Sequence, residues 1–194
     1  DELDVLVVPE ASLSDEQVET LGDWVRAGGT LVAVGRGAAD VAPIAEIELR
    51  EEPDDSTATI EEALRGREAR ELEDWEQEIP GTVLPAVLDP AHPLAFGAGI
   101  DRHPDRMFVL HGGGDVFEPA TSFETVAYFP AELEGTSGVI STENLQRLSQ
   151  AAWLVTTGVG EGRVILFADD PLFRHFWYSG FQLYGNALLI GPQL

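Results

Sequence analysis

The sequence predicts an α/β domain built as a three-layer sandwich, in which a mostly parallel sheet carries helices on both faces. Short apolar runs with the length of buried strands recur along the chain, and an amphipathic helical stretch separates the first two of them. The chain has 194 residues and 44% apolar residues, enough to bury one core. With no internal repeat and no low-complexity linker, we expect a single domain over residues 1–194.

The N-terminal segment predicts a strand, a helix and a second strand. Asp4–Val8 forms an apolar strand, and Ser14 with Gln17 has the spacing of a capping box. Gly28-Gly29 ends the helix, and Leu31–Val34 is the second buried strand. Such a βαβ unit is right-handed and implies parallel pairing. The helix places its apolar residues on one stripe: Val18, Leu21, Trp24 and Val25.

The segment Glu46–Ile79 has a different composition, with 14 acidic residues and 4 arginines. A sparse apolar face within Ile60–Trp75 predicts a solvated helix packed on the sheet edge or on a neighbouring domain. A binding element is the alternative.

The rest of the chain predicts further strands and two helices. Pro85 interrupts Val83–Leu88, so we expect an edge strand there, because proline cannot donate to a ladder. The other predicted elements are strands at Met107–Leu110 and Thr125–Phe129, a helix at Thr142–Leu148, a hairpin of Ala152–Thr157 with Val164–Ala168, and a final helix at Tyr178–Ile190.

The charge is strongly acidic, with 35 acidic residues against 11 basic ones and a formal net charge of −24. Every basic residue is arginine. The sequence therefore predicts adaptation to high salt, where screening relieves self-repulsion; an acidic surface for a basic partner is the alternative. The charge argues against nucleic acid or an anionic membrane as partner.

The absence of cysteine excludes disulfides and thiol nucleophiles.

The N-terminus enters an apolar run at Val5, close to the first residue. We therefore expect the chain to be a fragment of a longer polypeptide.

Three stretches of the N-terminal half, at residues 4–9, 13–17 and 24–33, resemble the class I glutamine amidotransferase-like superfamily. The resemblance implies a flavodoxin-like sheet with a sharp turn after the second strand that would hold a catalytic cysteine. Gly35 or Arg36 stands at that turn here, so a covalent thioester mechanism is excluded. In that superfamily a histidine and an acid follow a late strand. The equivalent stretch here, residues 165–171, has no histidine, so we expect a degenerate site.

The second half resembles the C-terminal region of large bacterial zinc carboxypeptidases of the carboxypeptidase A type. The stretches that carry this likeness are residues 89–97, 138–145, 160–167, 170–174 and 186–188. It implies an extracellular or periplasmic parent whose peptidase domain binds zinc, with the other domains of that polypeptide as partners. The zinc motif His-x-x-Glu is absent here, so no cofactor and no metal are expected in this domain.

Asp169 and Asp170 follow a predicted sheet strand, at the end where α/β folds place ligands. Neighbouring residues of a strand point to opposite faces, so a catalytic pair is not expected. Instead one of them is expected to cap the next turn or to pair with Arg163 or Arg174. Arg36 could grip a carboxylate ligand or pair with Asp169 or Asp170. His111 and Asp115 flank three glycines and could bind a metal from a loop. A flexible turn is the alternative.

An aromatic cluster lies within nine residues near the C-terminus. Part of it must be core, and an exposed remainder would mark a docking face. Its members are Phe173, Phe176, Trp177, Tyr178 and Phe181.

Three functions are compatible with these residues. The first is a non-catalytic accessory domain of a zinc carboxypeptidase-like protein, which predicts a filled, vestigial pocket. The second is a hydrolase that uses Asp169 and Asp170, which predicts two converging carboxylates. The third is a small-ligand binding module near Arg36, which predicts an unpaired guanidinium.

Overall fold

A computed structural model describes residues 3–50, 79–100, 102–134 and 137–194. The helix predicted within Ile60–Trp75 and most of the acidic segment lie outside these residues. The described chain contains four α-helices: α1 (Asp15–Arg26), α2 (Arg36–Val41), α3 (Thr142–Leu148) and α4 (Tyr178–Leu189). Its seven strands are β1 (Val5–Val8), β2 (Thr30–Val34), β3 (Thr82–Leu88), β4 (Arg106–His111), β5 (Glu124–Tyr128), β6 (Ala152–Val159) and β7 (Gly162–Phe167). The α/β class is confirmed.

The N-terminal unit forms as its sequence predicts. Ser14 Oγ accepts the Gln17 N–H while the Gln17 side chain accepts the Ser14 N–H, which completes the capping box. Gly28 has φ +116°, a conformation that glycine adopts without steric cost, and the helix stops there. β1 and β2 then pair in parallel.

The seven strands form one sheet in the order β1-β2-β7-β6-β5-β3-β4. The prediction of a mostly parallel sheet is wrong, because only β1/β2 and β2/β7 are parallel and the other four pairings are antiparallel. The hairpin predicted from Ala152–Thr157 and Val164–Ala168 does form. Two residues, Gly160 and Glu161, join β6 to β7, and so short a connection permits only antiparallel neighbours.

The prediction that β3 lies at the sheet edge is also wrong, since β3 pairs with β4 on one side and β5 on the other. Alternate N–H groups of a strand point to opposite sides, and Val83 donates to Ser137 rather than to β4. The missing N–H of Pro85 therefore faces the side of Val83. On that side β5 pairs only with Val87 and Leu88, so the proline leaves no ladder bond unmade.

The pairing of β3 with β5 is confined to the C-terminal end of each strand. The N-terminal half of β3 and the end of β4 therefore extend beyond the carboxyl end of β5. This hairpin carries His111, which faces Thr82 across the pair, past the edge at which β1, β2 and β7 also end. The edge formed by the carboxyl ends of β1, β2, β5 and β7 is called the carboxyl edge below.

The core centres on β2 and β7. Every residue of β2 is buried, so both faces of that strand are covered. α4 lies on the face that bears Phe167, whose ring packs against Tyr184 with centroids 6.2 Å apart. The Asn186 side chain anchors α4 by donating to the Leu94 and Phe96 carbonyls, each at 2.8 Å. None of the described helices has the length and apolar character needed to cross a membrane.

Gly162 allows α1 to approach the start of β7. A Cβ at this position would overlap the carbonyl oxygens of Val25 and Gly29. We expect Gly162→Ala to lower the free energy of unfolding by about 1–3 kcal/mol, as overpacking does. The matched control is Gly185→Ala in α4, where an added Cβ would have no neighbouring atom within 4 Å. It should leave stability unchanged or raise it by up to about 1 kcal/mol. Urea denaturation measures both, and equal effects would contradict the close approach.

Candidate functional site

A sharp turn joins β2 to α2 at the carboxyl edge. Gly35 adopts φ +55° and ψ −127°, and its N–H donates to the Phe167 carbonyl at 2.9 Å. Its own carbonyl accepts from the Ala38 and Ala39 N–H groups at the start of α2. A strained strand-to-helix turn of this kind exposes the residue at its tip. Here that residue has no side chain.

The turn packs against the segment that follows β1. A Cβ at Gly35 would lie 3.2 Å from Cγ of Glu10, the far part of an exposed, flexible side chain. At Gly37 a Cβ would overlap the Pro9 carbonyl oxygen and approach Val8 Cγ1 at 2.7 Å. Glycine at position 37 is therefore required by backbone packing, whereas at position 35 the φ of +55° disfavours any other residue.

Arg36 begins α2 and is exposed. Its guanidinium forms no ion pair and no side-chain hydrogen bond with any residue that the structure describes. The predicted pairing with Asp169 or Asp170 does not form.

Asp169 lies in a buried polar network that the sequence did not indicate. Its Oδ2 accepts from Trp153 Nε1 at 2.8 Å and from His111 Nδ1 at 2.9 Å, and its Oδ1 accepts from the Gly112 N–H at 3.1 Å. An ionised carboxylate only accepts, so Nδ1 of His111 carries the proton. The predicted alternative partners, Arg163 and Arg174, are not involved.

His111 is fully buried, and its ring also meets Phe129 edge-on with centroids 5.9 Å apart. Its Nε2 is buried and has no hydrogen-bond partner in the described part of the chain. The pair thus resembles a base held by an orienting acid. No serine, threonine or other side chain that could act as a nucleophile is bonded to Nε2 within the described residues. Sequence reasoning missed this contact since the partners stand 58 residues apart.

Asp170 has a separate role. Its Oδ1 accepts the Leu172 N–H at 2.8 Å and caps the turn after β7, which confirms the prediction that one of the two acids caps a turn. Burial of the Tyr184 phenol, followed by the negative charge of Asp170, raises the pKa of Tyr184 above its usual value. The two neighbouring carboxylates therefore bind different partners and do not converge.

The residues after Asp170 present an aromatic surface, defined as Phe173, Phe176, Trp177, Tyr178 and Phe181. Their rings form a chain of contacts, with centroids 6.1 Å apart for Phe173/Phe176 and 6.4 Å for Phe176/Trp177. Phe176 is 59% exposed and Tyr178 is 81% exposed. Arg174 and His175, which stand between Phe173 and Phe176, both adopt a positive φ. Non-glycine residues rarely do so.

Metal-binding clusters are absent from the described residues, in which no three His, Asp or Glu side chains come together. His111 binds Asp169 through Nδ1, and Asp115 is not among its hydrogen-bond partners in the described part of the chain.

A scan against protein-family models gives no match, and a search of curated proteins gives none either. Solved structures do share the fold. A protein described as a GMP synthase subunit, from Thermoplasma acidophilum, is 13% identical with a TM-score of 0.57; the match covers 100% of this chain and 75% of that one. A cytoplasmic protein of Salmonella typhimurium is 15% identical with a TM-score of 0.52, covering 96% and 71%.

A β-galactosidase from Bacillus circulans is 12% identical with a TM-score of 0.50; 97% of this chain matches only 22% of that enzyme. These likenesses show the fold alone. The fold is glutamine amidotransferase-like, as the N-terminal stretches of the sequence imply.

The Asp169 network should contribute strongly to stability. Asp169→Ala leaves three donors without their acceptor, two of them on buried side chains, and we expect it to lower the free energy of unfolding by about 2–4 kcal/mol. The control is Asp170→Ala, which removes one turn hydrogen bond and should cost about 0.5–1.5 kcal/mol. Chemical denaturation followed by tryptophan fluorescence compares them. A smaller loss for Asp169→Ala than for Asp170→Ala would contradict this role.

Proposed function

We propose that this chain is a non-catalytic accessory domain, which binds other domains of a zinc carboxypeptidase-like polypeptide located outside the cytoplasm. Zinc would be held by the peptidase domain of that parent and not by this one. The acidic, lysine-free surface would suit a salt-rich environment. The parent and its location rest on the sequence resemblance, whereas the lack of catalysis is argued from the carboxyl edge.

The observation that carries the proposal is the empty tip of the turn between β2 and α2. The backbone has the strained geometry that presents a nucleophile in related folds, yet Gly35 offers only hydrogen. Cysteine is absent from these 194 residues, so the chain supplies no thiol to this turn. Its own residues therefore cannot form the thioester intermediate of nucleophilic catalysis.

The acids nearby do not replace it. Asp169 is buried, and both of its oxygens accept hydrogen bonds from the protein. Asp170 faces a different partner, the backbone of Leu172. A hydrolase would need two carboxylates aimed at one reacting bond or water. This geometry disfavours the hydrolase alternative.

The same edge offers an apolar binding surface. Phe176 and Tyr178 are exposed in a chain whose surface is otherwise rich in carboxylates. Large aromatic side chains give much contact area for little entropy loss, and they are enriched at protein interfaces. Partial exposure of this aromatic surface supports docking against another domain.

Docking predicts slower amide hydrogen exchange at residues 173–181 in the full parent polypeptide than in the isolated chain. Phe176→Ser with Tyr178→Ser should abolish that protection, because the anchoring contacts are lost. Phe96→Ser is the control, since Phe96 is 73% exposed but is not part of the aromatic surface. Hydrogen exchange with mass spectrometry provides the measurement. Equal exchange rates in the isolated chain and in the full polypeptide would contradict the proposal. Glutamine hydrolysis by the isolated chain that is lost in Asp170→Asn would also contradict it.

A second candidate function is recognition of a small carboxylic acid at the turn. The observation that favours it is Arg36, an exposed guanidinium without an ion pair among the described residues. In a chain with 35 acidic residues, such an arginine is available for a carboxylate ligand.

Ligand recognition at the turn predicts that a small carboxylic acid such as glutarate binds with a dissociation constant that rises about tenfold in Arg36→Gln. Arg102→Gln is the matched control, because Arg102 is also exposed and stands on another loop. Ligand-observed NMR with glutarate and its diamide measures both. Binding that is equal for the acid and the diamide, or that survives Arg36→Gln, would rule this candidate out.

A further inference from the structure

A cavity of about 530 Å³ lies at the opposite edge of the sheet from Gly35. Arg163 at the start of β7 and Glu124 at the start of β5 line it, together with Asp89, which follows the end of β3. Ala91, His92 and Pro93 form another part of its wall. Its volume falls in the range of small-molecule sites, about 300–1,000 Å³. The residues considered in the proposed function do not take part in it.

Arg163 is the positive group of this cavity. Its Nη1 donates to Thr156 Oγ1 at 3.2 Å, while the Thr156 hydroxyl donates to the Val164 carbonyl, so the guanidinium is held in place. Among the described residues no carboxylate lies within ion-pair distance of it. A guanidinium has five N–H donors. Arg163 is half-buried and lines the cavity, and no further hydrogen bond of its guanidinium is made within the described residues.

Glu124 is a negative group on the same cavity, and its side chain is 61% exposed. His92 Nδ1 accepts the Leu94 N–H at 3.1 Å, which places the proton of the neutral ring on Nε2. Nε2 therefore donates to Glu124 Oε2 at 2.8 Å. The His92 side chain is only 9% exposed, so this donor is rigid and orients the carboxylate. The other oxygen of Glu124 makes no hydrogen bond to the described residues.

Asp89 is a second oriented carboxylate, because its Oδ1 accepts the Ala91 N–H at 3.0 Å. The wall of the cavity thus carries one cation and two exposed carboxylates, each held by one hydrogen bond, beside the side chains of Ala91 and Pro93. Two carboxylates would repel a simple anion, and the guanidinium would repel a simple cation. A ligand that carries both charges a few ångströms apart satisfies both groups.

We propose that this cavity binds a free amino acid with an apolar side chain. Arg163 receives the α-carboxylate, Glu124 and Asp89 receive the α-ammonium group, and the side chain packs against Ala91 and Pro93. The guanidinium fork matches a carboxylate in geometry, and both contacts are charge-assisted. This assignment is independent of Gly35, Arg36 and the aromatic surface.

Titration calorimetry on the full chain tests the ligand class with three matched probes. L-leucine has both charges, L-leucinamide lacks the carboxylate, and N-acetyl-L-leucine lacks the ammonium group. We expect saturable binding of L-leucine, with a dissociation constant about tenfold or more below that of either analogue. No binding of L-leucine at 10 mM, a concentration on the order of a weak small-molecule affinity, overturns the proposal. Equal binding of either analogue overturns the assignment to an amino acid.

Two variants test the residues. Arg163→Gln and Glu124→Gln should each weaken L-leucine binding about tenfold or more, since each removes one charge. Glutamine at position 124 still accepts from His92, so this variant keeps the wall of the cavity if Arg163→Gln fails to fold. Arg102→Gln is the control and should bind as the unaltered chain does. Binding that Glu124→Gln leaves intact overturns the proposal, whatever happens at Arg36.

Discussion

The buried carboxylate of Asp169 is the interaction on which the shape of the carboxyl edge depends. It joins the second residue after β7 to the end of β4 through His111 and Gly112, and to the start of β6 through Trp153. In the sheet order β4 stands four positions from β7, a separation of about 19 Å in a flat sheet. A contact of 2.9 Å between these positions requires the β3–β4 hairpin to curl over the edge.

This curl determines how the polar groups of the carboxyl edge are arranged. The turn at Gly35 is in place, and its N–H is bonded to Phe167, two residues before Asp169. Asp169, His111 and Trp153, however, are turned inward and bind one another, with Nε2 of His111 left without a partner in the described part of the chain. Arg36, Phe176 and Tyr178 remain exposed.

The two edges of the sheet differ in kind. At the carboxyl edge an acid is buried and serves the fold, whereas at the opposite edge Glu124 and Arg163 are held in position by His92 and Thr156 without being consumed. Several arginines form no ion pair within the described residues, and Arg36 and Arg163 are among them. Arg163 differs from Arg36 in that it lines a cavity together with Glu124 and Asp89.

Local sequence determined the elements of this protein, and tertiary structure decided how they meet. The capping box at Ser14, the stop at Gly28, the α/β class and the turn at Gly35 all follow from neighbouring residues, because caps and turns depend on contacts within a few positions. The antiparallel majority of the sheet and the interior place of β3 could not be predicted in this way. Strand order is set by which distant strands pair, and an apolar run is the same in either pairing. The contact of His111 with Asp169, and of His92 with Glu124, joins residues 58 and 32 positions apart, and only the folded sheet brings them together.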